Sequence, residues 1–361
     1  MNVKLECEIV TPMFMAGADG NSPELRPTEF KGMMRFWWRA AKAEDDIEQL
    51  RKKEAKIFGG AGETEGKSKI SLRILYDRDK FINFIGTNLK SDYELKWSSD
   101  GEKRTLIRDY PGISYLLYST TLSKGRKYIK EGFKFDILLS SFHEQELKEA
   151  LASLWLAVYL GGFGTRARRG GGNLAINNIQ AENTLEVDFK CDVQSKNELK
   201  TWIEKNWNNI KSLLEPGNTR KYSVIRGGKL LVFNPENSWT KALNFLGKSF
   251  KEFRFQNKSK LYETAAFGMP VMHSSFRVRM VPYGSDKRLS ERLASPLIFK
   301  VIKSGNLYFP ILFKLNCDLP QIGKEKKDGG WSLVGSPQRV SQQLIDDFLG
   351  SLKGKAVEVN L

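Results

Sequence analysis

The stretch 133–176, FKFDILLSSFHEQELKEALASLWLAVYLGGFGTRARRGGGNLAI, carries the fold in miniature. Phe133, Phe135 and Ile137 alternate with polar neighbours, the period of a half-buried strand. Leu147, Leu151, Leu154 and Val158 then recur at helical spacing and predict a helix over about 143–160. The helix stops in the glycine-rich segment Gly161–Gly172, and Leu174, Ala175 and Ile176 open a closing strand. Upstream, Val3, Leu5, Cys7 and Ile9 alternate with Lys4, Glu6 and Glu8, a strand over 3–10. Pro27-Thr28 opens a helix with Thr28 as its N-cap. Its apolar stripe is Phe30, Met33, Met34, Trp37 and Ala41, and the helical stretch ends at Ile57–Gly60. Ile70, Leu72, Ile74 and Tyr76 alternate next. Residues 77–131, basic and aromatic with Trp97, Arg104, Arg108, Tyr110, Arg126 and Tyr128, are expected to form an irregular insertion with a strand near 113–120. The order is strand, helix, two strands, helix, strand.

The second half repeats it. A connecting helix over about 198–214 precedes the strand Leu230–Phe233, and Ser238 caps a helix bearing Ala242, Phe245, Leu246 and Phe253. Two strands follow around Leu297–Val301 and Leu307–Leu315, then a helix through Val340, Leu344, Phe348 and Leu352, then a terminal strand through Val357 and Val359. A repeated βαββαβ unit is the split-βαβ, ferredoxin-like plan. The expected class is therefore α+β, with domains at 1–182 and 183–361.

Composition sets the outer bounds. The 361 residues include 58 Lys plus Arg against 42 Asp plus Glu, a net charge of +16, with 40% hydrophobic residues. This is globular composition, without the long apolar run that a membrane helix needs. The acidic start Met1–Glu8 does not resemble a signal peptide, so a cytoplasmic location is expected. Three scattered cysteines give neither a disulfide framework nor a zinc site, and no metal or cofactor is expected. The charge surplus points to a polyanionic partner, since each neutralised phosphate releases counterions.

Two phosphate-loop patterns fail on context. Ala61–Ser68 follows a helix and precedes a strand, the reverse of a phosphate cradle, and Glu63 and Glu65 repel phosphate; it is expected to be a hairpin-like loop. Gly162–Ala167 mimics a dinucleotide fingerprint, yet it also follows a helix. Gly161, Gly162 and Gly164 instead permit close backbone approach to a ligand, with Thr165, Arg166, Arg168 and Arg169 set to grip a phosphodiester backbone. On the first helix Lys31, Arg35 and Arg39 recur at i, i+4, i+8 behind Arg26, a basic wall. Trp37 belongs to the apolar stripe, and Trp38 lies nearer the basic side as a base-stacking platform. Arg277 and Arg279 are the second half's candidates. His143 and His273 are the only histidines and form no catalytic constellation by spacing, so no enzyme is expected; the alternative is a metal-independent endoribonuclease using His273 with a lysine.

Thr11-Pro12-Met13-Phe14, Gly17-Ala18-Asp19 and Glu24-Leu25-Arg26-Pro27 run into Phe30-Lys31-Gly32-Met33-Met34-Arg35-Phe36-Trp37-Trp38-Arg39. This block closely resembles the N-terminal signature of the RAMP-superfamily family of first subunits in Cmr-type (type III-B) CRISPR effector complexes. Gly161–Gly172 resembles the glycine-rich loop of RAMP proteins, and Phe267–Pro270 with Ser295–Leu297 resembles that family's second half, so the likeness spans nearly the whole chain. It implies two ferredoxin-like, RRM-like domains. It also implies a non-catalytic, RNA-binding role beside the other Cmr subunits, contacting guide or target RNA toward the guide's 3′ end. Target cutting belongs to a different subunit, whereas other RAMP relatives process repeat-derived guide precursors. The aromatic signature of ordinary RRM sheets is not visible, so RNA is expected on loops and helix faces.

Overall fold

Alternation of burial along Asn2–Ile9 makes β1 the central strand of a sheet, its Val3, Leu5 and Cys7 facing Leu139, Ile137 and Phe135 across the register. The computed structural model describes all residues except 63–64, 94, 101–102, 108–109, 121–125, 183–184, 274–276, 285–288 and 291. At 96–100, 103–107, 119 and 273 it describes the backbone alone. After β1 come α1 (Pro27–Lys42), α2 (Ile47–Phe58) and β2 (Ser71–Leu75). Pro27 takes the first helical position of α1, where its fixed φ suits the turn, so Arg26 is the N-cap and makes no side-chain cap. Thr28 is thus inside the helix, a correction to its expected capping role. The Ala61–Ser68 loop is closed by a Gly60 N–H to Gly66 carbonyl bond, and its Glu63 and Thr64 lie outside the described residues.

The insertion is more regular than expected. It holds α3 (Arg78–Asn83), β3 (Ile85–Gly86), α4 (Leu89–Asp92), β4 (Lys96–Asp100), β5 (Lys103–Ile107), α5 (Pro111–Leu116) and β6 (Tyr128–Ile129). The strand expected near 113–120 is instead α5 followed by a single 3-10 turn, because Pro111 again starts a helix. Arg108 lies outside the described residues.

β7 (Lys134–Ser140), α6 (Glu144–Tyr159) and β8 (Leu174–Ala181) complete an antiparallel sheet of order β2-β7-β1-β8. The chain continues through α7 (Lys196–Leu214), β9 (Val224–Phe233), α8 (Trp239–Gln256), α9 (Leu261–Ala265), β10 (Val271–His273), β11 (Val278–Tyr283), β12 (Leu297–Ser304) and β13 (Leu307–Asn316). It ends with β14 (Gln321–Asp328), β15 (Gly330–Leu333), α10 (Gln343–Leu352) and β16 (Ala356–Val359). Ser238 caps α8 as expected, its hydroxyl accepting the Lys241 N–H. The order β12-β13-β9-β16 repeats that of the first sheet, so each half is a βαββαβ unit with its first strand between its third and fourth. The fold class is α+β, as the periodicity predicts. The expected junction at 183 falls on residues outside those described.

The repeated unit does not account for a third antiparallel sheet, β10-β11-β14-β15, inside the second half. The hydrophobic core is shared: one buried cluster takes residues from both halves, with Trp37 of α1 stacked on Phe313 of β13 at 6.2 Å. α1 therefore lies between the units. Among the described residues no helix is long and apolar enough to cross a membrane.

Candidate nucleic-acid interface

The glycine-rich segment leaves α6, turns over the Phe14–Met15 segment and returns to β8. Phe14 accepts the Thr165 N–H at 2.8 Å, and the Phe163 N–H and Gly172 carbonyl close the loop's neck at 2.9 Å. Gly164 and Gly172 have φ of 78° and 61°. A Cβ on Gly164 would stand 2.6 Å from the Phe14 carbonyl, and one on Gly172 would fall onto the Phe163 carbonyl. Gly161 and Gly162 are buried, the first against the Trp37 indole and the second against Gly171. These glycines thus serve close approach of the chain to itself, a correction to the reading that they open the backbone to a ligand.

Arg168 and Arg169 are corrected on the same grounds. Arg168 stacks over Phe36 at 5.1 Å and donates to the Ser295 carbonyl, while its own carbonyl accepts the Phe299 N–H at 3.1 Å. Arg169 lies between the rings of Phe250 (5.1 Å) and Phe299 (5.3 Å) and donates to the Phe267 carbonyl at 2.8 Å. Its other terminal nitrogen is buried without a hydrogen-bond partner among the described residues. Burial, reinforced by the nearby Arg254 charge, pushes its pKa down to about 9. Asn173 adds a further stitch, its Oδ1 accepting the Val301 N–H at 2.7 Å. The loop is therefore a clasp laid along the edge of β12, joining the two units through neutral carbonyl acceptors. Arg168 and Arg169 face the sister unit, not solvent.

Trp38 is also corrected. It is 1% exposed, and its Nε1 donates to Glu149 of α6 at 2.9 Å. α6 packs across the side of α1 that the helical wheel leaves open, so no stacking platform exists there. On the next face Glu54 of α2 binds both Arg39, at 2.7 Å, and Arg35, which also donates to the Gly59 carbonyl. One carboxylate thus partly neutralises two members of the basic row. Lys31 has no polar partner among the described residues; burial and the Arg35 charge lower its pKa. In the second half Arg279 pairs with Glu325, while Arg277, with φ 51°, is exposed at the entry to β11.

What the fold does assemble is a cationic patch around the loop's tip. Thr165 is exposed and accepts from Arg126 of the insertion at 2.9 Å. Arg166 is held in the left-handed region with φ 68°, and burial together with the Arg292 charge lowers its pKa. The Arg26 backbone lies nearby, its N–H contacting the sulfur of Met15, the residue after the Phe14 whose carbonyl holds Thr165. Of these members, the sequence names Arg126 only as part of the basic insertion and does not single out Arg292. Each is brought to the loop from a distant stretch of chain, and no local pattern marks it. His143 is exposed at the start of α6, His273 lies on β10, and no described contact joins them.

Two tandem ferredoxin-like units clasped by a glycine-rich loop define the class, and residues 6–175 match the RAMP superfamily. The chain belongs to that family. Its relatives include the CRISPR system Cmr subunit Cmr1-2 of Pyrococcus furiosus, 35% identical over 187 residues, which are 47% of this chain and 92% of that protein. The subunit Cmr1-1 of the same organism is 27% identical over 297 residues, 78% of each chain. The crystal structure of apo Cmr1 from Pyrococcus furiosus superposes with a TM-score of 0.63 at 21% identity, covering 99% of this chain and 98% of that one. A chain of the Type III-B Cmr-beta complex bound to cognate target RNA gives a TM-score of 0.61 at 17% identity, with 98% of each chain covered. These two structures establish a shared fold over essentially the whole length.

Proposed function

We propose that the chain is an RNA-binding, non-catalytic subunit of a type III-B CRISPR effector complex, contacting guide or target RNA toward the guide's 3′ end beside other Cmr subunits. Kinship with the Cmr1 subunits supports the placement. The observation that carries RNA binding is the tip patch, where Arg126 donates to the exposed Thr165 beside Arg166, with the Arg26 backbone close by against Met15. Guanidinium forks beside a hydroxyl suit phosphate oxygens, which fix register without reading sequence. Lys31, Arg35 and Arg39 on α1 are further candidate contacts, the last two sharing the Glu54 carboxylate. The test is a titration of the full chain with labelled single-stranded RNA over a range of salt. The triple change Arg26→Ala, Arg126→Ala, Arg166→Ala should flatten the log–log slope by about 2, at ~0.7 per contact. Affinity should fall alike for unrelated sequences. An unchanged slope overturns the assignment of RNA to this patch, and cleavage of guide precursor by the purified chain in EDTA would overturn the non-catalytic reading.

A further inference from the structure

The third sheet has two unlike faces. On one, Met280 and Ile322 pack with Ala265 and Met269 into a small core. The register places Met272, Arg279, Glu325 and Leu333 in one row on the other face, with Lys327 and Trp331 paired in the next. α9, which carries Ala265, packs on the first face. Met272 is 58% exposed and Leu333 40%. At its centre Glu325 is buried, holding Arg279 and accepting the Tyr283 hydroxyl at 3.1 Å. The Trp331 indole lies over the Arg279 guanidinium at 4.4 Å, so the ring rests flat on a neutralised ion pair and turns its other side away from the sheet. The loose charges around it are cationic. Arg277, whose carbonyl takes the Lys327 N–H, is exposed together with Lys327, and neither has an ion pair among the described residues. The exposed acid on these strands is Asp328, at the β14–β15 turn.

We propose that this open face is a second RNA-contacting surface, on which Trp331 stacks an unpaired base while Arg277 and Lys327 take the flanking phosphates. A ring fixed in place loses little freedom on stacking, and every base offers a π-face, so contact is tolerant of sequence. Charge decides the partner's class: an apolar platform ringed by unpaired cations complements a single-stranded polyanion. The inference rests on the RNA-binding reading above.

The experiment is a fluorescence-anisotropy titration of the full chain with a labelled unstructured oligonucleotide RNA. Trp331→Ala should weaken binding about 5- to 100-fold with the salt slope unchanged, because a lost stack frees no counterions. Trp331→Phe, which keeps an aromatic ring on Arg279, should retain most of the affinity. Lys327→Ala, a solvent-exposed change that spares the fold, should lower the slope by about 0.7. If the wild-type chain binds RNA and the tip-patch variant weakens it while Trp331→Ala and Lys327→Ala do not, this inference falls alone. If Trp331→Ala keeps RNA affinity but loses a co-purifying Cmr subunit, the face belongs to a protein and the inference is wrong. A wild-type chain without RNA affinity sinks both readings.

Discussion

Replacing Arg169 separates a clasp from a phosphate grip. The guanidinium is buried, and lowering its pKa to about 9 corresponds to a charge-burial penalty on the order of 5 kcal/mol. Opposing it are a charge-assisted hydrogen bond to the Phe267 carbonyl, about 1.5–3 kcal/mol, and two ring contacts of about 0.5–2 kcal/mol each. Gain and penalty nearly cancel. Arg169→Met, which fills the slot between Phe250 and Phe299 without a charge, should therefore change stability by less than about 2 kcal/mol. Arg169→Ala leaves the rings apart and should cost about 2–4 kcal/mol. Urea denaturation of the three proteins gives the free energies, and RNA titration over a salt range gives the slopes. The clasp reasoning expects Met to behave like the wild type in both assays and Ala to lose stability alone. If both variants instead keep their stability and lose ~0.7 of salt slope, Arg169 reaches RNA and the reasoning is refuted.

Lys300 is fully buried on β12, its ammonium has no hydrogen-bond partner among the described residues, and burial pushes its pKa down to about 7. Between that value and its ordinary pKa the unfolded chain holds the extra proton, so stability should rise with pH from about 7 toward 10, by up to ~1.4 kcal/mol per pH unit. Lys300→Met should be the more stable protein at pH 7, and its lead over the wild type should shrink by pH 9; equal pH profiles in chemical denaturation refute this. Trp38→Phe, losing the Glu149 bond, should cost about 1–2 kcal/mol, and Trp38→Ala about 3–5 kcal/mol. RNA affinity of the folded fraction should be unmoved by either, and a selective loss of affinity would restore the stacking role. Gly112 of α5 meets Gly247 of α8 backbone to backbone, so Gly112→Leu should lift the insertion and cost about 2 kcal/mol or more, read as faster proteolysis within 77–131.

The two βαββαβ units were legible because their strands and helices bury one face each and so print periods of 2 and 3.6 into the chain. Ser238 is a local signal of the same kind, its hydroxyl acting three residues away. The third sheet escaped because β14, Gln321–Asp328, alternates lysines and glutamate with little apolar character and reads as a loop. Its aromatic platform comes from Trp331 meeting Arg279 across the sheet, a contact between positions 52 apart that spacing cannot reveal. The arginines of the glycine segment misled for a related reason. Composition marks guanidinium groups near flexible backbone, whereas their role depends on Ser295, Phe250 and Phe267, supplied by the other unit. Trp38 shows the limit of a helical wheel, which gives a direction without saying whether another helix stands in it.

β12 is the outermost strand of its sheet, and an outer strand ordinarily offers a row of vacant amides and carbonyls to any passing chain. Here the Phe299 and Val301 amides are already occupied by the Arg168 carbonyl and the Asn173 side chain. The same ribbon that fastens the two halves also shields this margin from self-templated aggregation. The chain is thereby steered toward contacts other than sheet extension along that margin.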